Sequence, residues 1–233
     1  MSTEQDFLSR VAARLGRSPE AAPPPFRPSR PLPEIGPKGP DALADRFQAE
    51  LEKINGVVHR VSDAAQVAPT IVQILKDVLG SGQTGSAAAG LSVARWEDPL
   101  LSGCDIDPAL EAAGYRVVRF RQGDDGRSFV EQVEKAPAGI VACDAAIAET
   151  GTIVLHSGAT RGRTVSLLPP LLIAVLRKEQ IVFDSARVFR RLAGSGAMPS
   201  QVIFKSGPSR SSDIENDLTI GVHGPGALHV ILV

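Results

Sequence analysis

Short apolar segments alternate with amphipathic segments along most of the chain from residue 41 onward. Leu43, Phe47 and Leu51 recur at four-residue spacing, which predicts a helix from Asp41, a residue that can cap it, to about Asn55. Apolar runs of strand length follow and are separated by further helical patterns. Helices between short apolar strands predict an α/β fold with a mostly parallel sheet flanked by helices, which would bind ligands at the carboxyl ends of its strands.

The individual elements follow from the same patterns. The predicted strands are 57–61, 86–89, 116–120, 139–143, 153–155, 181–184 and 201–205. The predicted helices are 64–79, 106–113, 128–135, 170–178 and 185–192. Two further apolar runs, 218–222 and 228–233, flank a turn that contains Gly224-Pro225-Gly226, so we expect a C-terminal antiparallel hairpin.

The first forty residues have a different pattern. Residues 1–16 place Phe7, Leu8, Val11 and Leu15 at helical spacing, which predicts a short amphipathic helix. A proline-rich stretch, 17–40, is typical of a linker and separates this helix from the α/β domain, 41–233. The helix is either frayed or docked on a partner or on a second copy of the chain, so a homo-oligomer is one expectation.

Composition and charge exclude several classes of function. The chain has 25 basic and 26 acidic residues among 233, a net charge of −1, so it lacks the basic surface that non-specific nucleic-acid or membrane binding needs. Its apolar runs are shorter than the ~20 residues of a membrane span, and its N-terminus is not signal-like, so we expect a cytoplasmic protein. Cys104 and Cys143 form no C-x-x-C, and the histidines share no ligand spacing, so we expect buried thiols and no metal site.

The stretch 145–170 contains the first group of candidate site residues. Glu149 precedes an apolar strand and is the candidate catalytic carboxylate, with Thr150, Gly151 and Thr152 offering hydroxyls and closely approachable amides. Arg161 and Arg163 follow on a glycine-containing loop and suit a carboxylate or phosphate ligand. The alternative interpretation is an ordinary β-turn followed by a solvated basic loop.

The stretch 205–215 contains the second group. Ser212-x-x-Glu215 matches a capping box, which predicts a helix turn whose free amides, with Ser209 and Arg210, form an anion cradle. The alternative is that the serines only cap the turn while Asp213 pairs with Arg210. We expect both arginine loops to converge on one pocket with Glu149. The glycine-rich loop 80–86 lacks the Gly-Lys-Ser/Thr ending of a nucleotide-binding loop.

Four motifs together resemble the LUD-domain family of lactate utilisation proteins, over roughly residues 41–233. They are the runs 144–152 (DAAIAETGT), 167–170 (LLPP), 206–210 (SGPSR) with 213–215 (DIE), and 221–225 (GVHGP), which adds His223 to the candidate ligand-binding residues with Asp213 and Glu215. The resemblance implies a fold similar to the sugar-phosphate isomerases and coenzyme A transferases. It also implies participation, with two iron–sulfur partner proteins, in the oxidation of L-lactate to pyruvate.

The resemblance leaves the chemical step of this chain open. The chain lacks the cysteine clusters of such partners, so we expect no cofactor in it and iron–sulfur clusters in the partners. A small carboxylate is the expected ligand, and Glu149 the candidate acid, base or contact to its hydroxyl. One alternative is a stand-alone enzyme that acts on an acyl thioester or a phosphorylated small acid, with Glu149 as nucleophile. Another is a non-catalytic assembly or sensing subunit.

Overall fold

The computed structural model describes residues 4–17, 36–80, 91–119, 126–196, 198–212 and 218–233. The chain divides into two compact units, Met1–Pro33 and Glu34–Val233. In the first unit the predicted helix is present as α1 (Glu4–Arg14), none of whose residues is buried. Its apolar side chains are exposed, and Phe7 has 57% of its surface accessible.

The second unit is built on a six-stranded sheet in which every neighbouring pair of strands is parallel, in the order β1-β12-β7-β4-β2-β3. Its strands are β1 (Val57–Arg60), β2 (Ser92–Arg95), β3 (Arg116–Arg119), β4 (Ala138–Ala142), β7 (Leu171–Leu176) and β12 (Ala227–Leu232). Strands β4 and β7 are buried along their whole length, as parallel strands covered on both faces should be. The predicted α/β class with a mostly parallel sheet is confirmed.

Helices flank this sheet. They are α2 (Pro40–Lys53), α3 (Val67–Gly80), α4 (Pro99–Ser102), α5 (Ile106–Ala112) and α6 (Gly126–Glu134). A further helix, α7 (Ser185–Gly194), packs on a second, smaller sheet. All the predicted helices except 170–178 are present within a few residues of their predicted bounds. The N-cap of α2 is Gly39 with Pro40 in the first turn, and Asp41 instead pairs with Lys178 across 3.0 Å. No described helix is long and apolar enough to cross a membrane.

Two predicted elements are wrong. The apolar run after Pro169-Pro170 forms strand β7 and not a helix, because a short, fully buried run has no periodicity that separates the two structures. The C-terminal hairpin does not form, since β12 lies between β1 and β7 and is parallel to both. The earlier run forms β11 (Leu218–Ile220), which pairs antiparallel with β10 (Arg210–Ser212), where the sequence predicted the start of a helix turn. The predicted strand 86–89 and the glycine-rich loop 81–86 lie outside the described residues.

A second, mixed sheet has the order β8-β5-β6-β9. It comprises β5 (Ala145–Ile147), β6 (Thr152–His156), β8 (Ile181–Val182) and β9 (Val202–Lys205). One face, with Ala146, Ile153 and Leu155, joins the main core, while the other face, with Val154, packs against α7. Because successive strand residues point to opposite faces, this small sheet is buried between the main sheet and α7.

The antiparallel β5–β6 pair, which we call the hairpin, connects the two ends of the main sheet. Only Cys143 and Asp144 separate it from the carboxyl end of β4. Its turn, Glu149 to Gly151, lies against the C-terminal end of α2, just before β1 begins. The hairpin therefore runs from the carboxyl ends of the parallel strands towards their amino ends.

Candidate functional site

The turn of the hairpin holds the first group of predicted residues. Glu149 and Thr150 are exposed, and the Glu149 amide donates to the Phe183 carbonyl across 2.9 Å. The Glu149 carboxylate has no hydrogen bond or ion pair with any described residue. Thr152 is 4% exposed, and its hydroxyl lies 2.7 Å from that of Thr150. The turn thus presents a free carboxylate beside a fixed pair of hydroxyls.

Gly151 allows this turn to pack against α2. Its φ is +61°, in the left-handed region, and a Cβ at this position would lie 2.3 Å from the backbone nitrogen of Leu51. Every other residue would meet both a conformational penalty and a clash with backbone that cannot move aside. The glycine is therefore required by the close approach of the turn to the helix.

Strand β9 leads the second group of residues to the same place. β9 is antiparallel to β6 with Lys205 opposite Ile153, so the residues after Lys205 run beside the turn. The Ser206 hydroxyl lies 2.7 Å from that of Thr152. The Arg210 guanidinium donates to the Ile54 carbonyl across 2.9 Å, so this loop and the hairpin turn both contact the C-terminal end of α2. Arg210 and the Glu149 turn thus lie against the same end of α2, and the pocket that they are predicted to share stays a prediction.

The loop 221–226, which contains His223, lies over the second group. The Ser209 amide donates to the Pro225 carbonyl across 2.8 Å, and the Gly221 amide donates to the Ser209 carbonyl across 2.9 Å. A Cβ on Gly224 would lie 3.4 Å from Lys205 Nζ. His223 is exposed on this loop. Three of the four sequence motifs thus meet here, in what we call the hairpin-turn site: Glu149–Thr152, Lys205–Arg210 and 221–226.

Lys205 is the charged group that the sequence patterns missed. Its side chain is half-buried, and burial lowers the pKa of its amine to about 8. It makes no hydrogen bond or ion pair with any described residue. Alternation along β9 provides the signal that could have found it, because Ile203 packs on the main core and Lys205 lies two residues further on the same face. The site therefore contains a cation that lacks a counter-ion among the described residues.

Arg161 lies at the other end of the hairpin. Its guanidinium donates to Asp144 Oδ1 across 2.5 Å and to Asp98 Oδ2, and it lies over the Trp96 ring, 5.6 Å from the centroid. Burial disfavours the charge of Arg161, but the hydrogen bond to Asp144 and the two carboxylate charges outweigh it and raise its pKa. The predicted common pocket of Arg161 and Glu149 is therefore wrong.

The remaining candidates are also separate from the hairpin turn or lie outside the described residues. Arg163 is exposed and begins a short 3₁₀ turn, 163–166, that lies on the main sheet: a Cβ on Gly139 of β4 would be 2.1 Å from the Val165 carbonyl oxygen. Asp213 and Glu215 lie outside the described residues. Both cysteines are free and buried, as predicted.

The hairpin-turn site is at the amino ends of the parallel strands. Ile54 and the loop 221–226 directly precede β1 and β12. The sequence predicted that the candidate site residues lie at the carboxyl ends of the parallel strands. This is wrong for the residues of the hairpin-turn site, because strand β5 runs back towards the amino ends before the hairpin turns. The carboxyl ends of β2 and β4 instead lead to Asp98 and Asp144, the two carboxylates that form ion pairs with Arg161.

Comparison with known proteins agrees with the fold and the motifs. Residues 44–233 match the LUD domain family. The chain is 32% identical over 228 residues to lactate utilization protein C of Shouchella clausii, covering 97% of this chain and 95% of the relative. It is 33% identical over 232 residues to the protein of the same name in Halalkalibacterium halodurans, covering 95% and 93%. The crystal structure of a DUF162 family protein from Deinococcus radiodurans is similar in fold, with a TM-score of 0.57, 22% identity and coverage of 84% of this chain and 99% of that chain.

Proposed function

The chain belongs to the LUD domain family, and we propose that it is a component of a system that oxidises L-lactate to pyruvate and binds a small carboxylate at the hairpin-turn site. Relatives that carry the name lactate utilization protein C align with nearly the whole chain. The role in lactate utilisation rests on those relatives, and the place of binding rests on the geometry of the site.

The observation that carries the proposal is the uncompensated Lys205 amine. A half-buried ammonium group without a counter-ion is unfavourable, and a bound anion removes much of that cost. The Ser209 hydroxyl lies on the same side as this amine, because a Cβ on Gly224 would be 3.4 Å from Lys205 Nζ and 3.8 Å from Ser209 Oγ, and a hydroxyl is a suitable donor to a carboxylate. The hydroxyls of Thr152 and Ser206, 2.7 Å apart, belong to the next pair of the β6–β9 ladder and start on its opposite face. One cation with a hydroxyl donor beside it suits a ligand as small as a three-carbon acid.

Glu149 is the group that we assign to the hydroxyl of the ligand. Its carboxylate has no partner among the described residues and lies in the same turn, two residues from Gly151 and three from Thr152. Oxidation of lactate removes two protons and two electrons. Glu149 accepts the hydroxyl proton as a general base. The Cα hydrogen would leave to solvent as the second proton, and iron–sulfur clusters of partner proteins would take up the two electrons.

Growth on lactate tests both assignments. A strain that lacks this gene is complemented with Glu149→Gln or Lys205→Met, with Glu111→Gln as matched control because Glu111 is exposed on α5. We expect neither site variant to restore growth on L-lactate, since loss of a general base alone lowers a rate by roughly 10²- to 10⁴-fold. Expression and circular dichroism of each variant show that the fold is kept.

Calorimetry with the purified chain separates binding from assembly. We expect wild type to bind L-lactate and Lys205→Met to bind it at least tenfold more weakly, because a charged hydrogen-bond partner is lost. If both site variants restore growth and neither changes binding, the hairpin-turn site is not the functional site. Growth loss without any binding of L-lactate by wild type would favour the assembly or sensing role.

A further inference from the structure

A cavity of about 490 Å³ lies at the other end of the hairpin from the proposed carboxylate site. Its lining combines a polar side, which includes Asp144, His156 and Arg161, with Val188, Arg191 and Leu192 of α7. Met198 is at its edge. A cavity of this size with apolar walls and a few convergent polar groups is typical of small-molecule sites.

The charges on the polar side are already paired. Asp144 Oδ1 accepts from Arg161, and Asp144 Oδ2 accepts from the His156 amide across 2.7 Å. Asp98 Oδ2 accepts from Arg161, and Asp98 Oδ1 accepts from the Leu100 amide across 2.9 Å. A cationic ligand thus finds each carboxylate oxygen already engaged. The guanidinium of Arg161 is balanced by the two carboxylates, and Arg191, which also lines the cavity, is exposed to solvent that screens its charge. The described lining therefore offers a charged ligand no buried, unpaired charge of opposite sign.

The imidazole of His156 is the polar group that remains available. Its Nδ1 lies 3.6 Å from Asp144 Oδ1, which favours a proton on Nδ1 and leaves Nε2 as an acceptor. Nε2 is buried and has no hydrogen-bond partner among the described residues. Gln201 Oε1 is in the same state nearby, since the Gln201 carbonyl accepts from the Ser157 amide across 3.0 Å, but Gln201 does not line the cavity. A buried acceptor without a donor costs free energy, which a donor-bearing ligand at His156 recovers.

The position of the cavity in the topology agrees with a ligand site. From β2 the chain continues to β3 on one side, whereas from β4 it continues through the second sheet to β7 on the other side. The neighbouring strands β2 and β4 therefore lead in opposite directions, and the crevice at their carboxyl ends is where open α/β sheets bind ligands. Asp98 and Asp144 follow these two strands.

We propose that this cavity is a ligand site distinct from the hairpin-turn site. It takes a small, uncharged organic molecule whose apolar body lies against Val188 and Leu192 and whose hydroxyl or N–H group donates to Nε2 of His156. The role of Arg161 is to fix the two carboxylates, and through Asp144 the orientation of the imidazole.

Labelled methionine methyl groups allow a direct test with phenol as the probe and anisole as its donor-free partner. The chain contains two methionines, Met1 and Met198, so a ¹³C-methyl spectrum has one signal at the cavity edge and one reference signal. We expect phenol to shift the Met198 signal in a saturable titration and to leave Met1 unchanged. Anisole should bind about tenfold more weakly, because it cannot donate to Nε2.

Two variants show whether the binding is located as proposed. His156→Phe keeps a ring but removes the acceptor, so phenol and anisole should bind it equally. Leu192→Trp fills the cavity and should abolish the Met198 shift, whereas Ala193→Ser, exposed on the same helix, should behave as wild type. Thermal unfolding checks that each variant folds. A wild-type Met198 signal that does not saturate, or equal affinities of wild type for phenol and anisole, would overturn the proposal.

Discussion

Each end of the hairpin contains a basic side chain and a carboxylate, but the two ends differ in whether the basic side chain has a carboxylate partner. At the Asp144 end, Arg161 lies between two carboxylates, and Asp98 is 5% exposed. At the Glu149 end, Lys205 is half-buried and has no carboxylate partner among the described residues. The first cation is a structural part of the fold, and the second is available to a ligand.

The difference shows how a charged residue can be assigned to structure or to function. Removing a charge from water costs several kcal/mol, which ion pairing inside the protein can offset. Arg161 has that compensation, so its charge is already used within the fold. Lys205 lacks it among the described residues, so its buried charge lowers the stability of the fold. The predictions below follow this contrast from the largest expected effect to the smallest.

Asp144→Ala should cause the largest loss of stability. It leaves the guanidinium of Arg161 with Asp98 alone and the buried His156 amide without its acceptor. Breaking a buried ion pair by removal of one partner costs about 3–5 kcal/mol of unfolding free energy. Urea unfolding measures it, and Asp45→Ala, which breaks the exposed pair with Arg60, should cost under about 1 kcal/mol. Equal losses would show that the Arg161 cluster is no more structural than a surface pair.

Lys205→Met should have the opposite sign and stabilise the protein at pH 7. The folded-state pKa of about 8 lies below the value of 10.5 in the unfolded chain, so below pH 8 the folded state keeps an unfavourable buried charge. Removing it should add about 2 kcal/mol to the free energy of unfolding. Wild type should gain stability between pH 8 and 10.5, where the unfolded chain binds the extra proton, and the variant should not. Destabilisation by Lys205→Met at pH 7 would mean that Lys205 has a partner in the fold.

The histidine pair in strands β1 and β12 offers a third, intermediate case. His59 Nε2 lies 3.0 Å from His229 Nδ1 with the rings stacked, and burial lowers the pKa of His229 to about 4 and also lowers that of His59. Because the unfolded value for His229 is 6.5, this pair stabilises the fold above pH 6.5, and the contribution is lost as the pH falls towards 4.

We expect this loss to be about 1–2 kcal/mol for His229 after allowance for solvent screening. His229→Asn should remove that part of the acid sensitivity, as measured by urea unfolding at pH 7 and pH 4.5. Carboxylates titrate in the same window, so the difference between wild type and variant is the relevant quantity. The same pH dependence in both proteins would exclude the pair as its source.

The sequence predicted the fold class and most elements because they depend on local patterns. The helix over Leu43, Phe47 and Leu51 has a clear period, and its apolar face is buried as expected. The predictions for β7 and β12 failed because long-range pairing decides the environment of these strands. Both are inner strands of the sheet, but the sequence predicted a helix for β7 and one strand of a local hairpin for β12. No local sequence pattern shows with which distant strand an apolar run will pair.

The candidate site was predictable to the extent that motifs mark backbone requirements. Gly151 and Gly207 lie where the motifs indicated, because both have a positive φ and a Cβ there would lie 2.3 Å from the Leu51 nitrogen and 2.8 Å from the Ile54 carbonyl oxygen, respectively. The state of a charge was not predictable, since it depends on partners far away in sequence. Asp98 is 63 residues from Arg161, and no spacing rule connects them.

The smallest expected change in stability concerns the hydroxyl chain of the hairpin-turn site. Thr152→Val keeps the shape and removes the central hydroxyl between Thr150 and Ser206. Both outer hydroxyls belong to exposed residues and can bind water instead, so the loss should be under about 1 kcal/mol. Affinity for L-lactate should change by less than about twofold, because the Thr152 hydroxyl starts on the face of the sheet opposite Lys205. Calorimetry measures this, with Thr70→Val as matched control, since that hydroxyl donates to the Gln66 carbonyl at the start of α3 and should not affect binding. A tenfold loss of affinity in Thr152→Val would place the hydroxyl chain in the site, and a stability loss well above about 1 kcal/mol would make the chain a structural element like the Arg161 cluster.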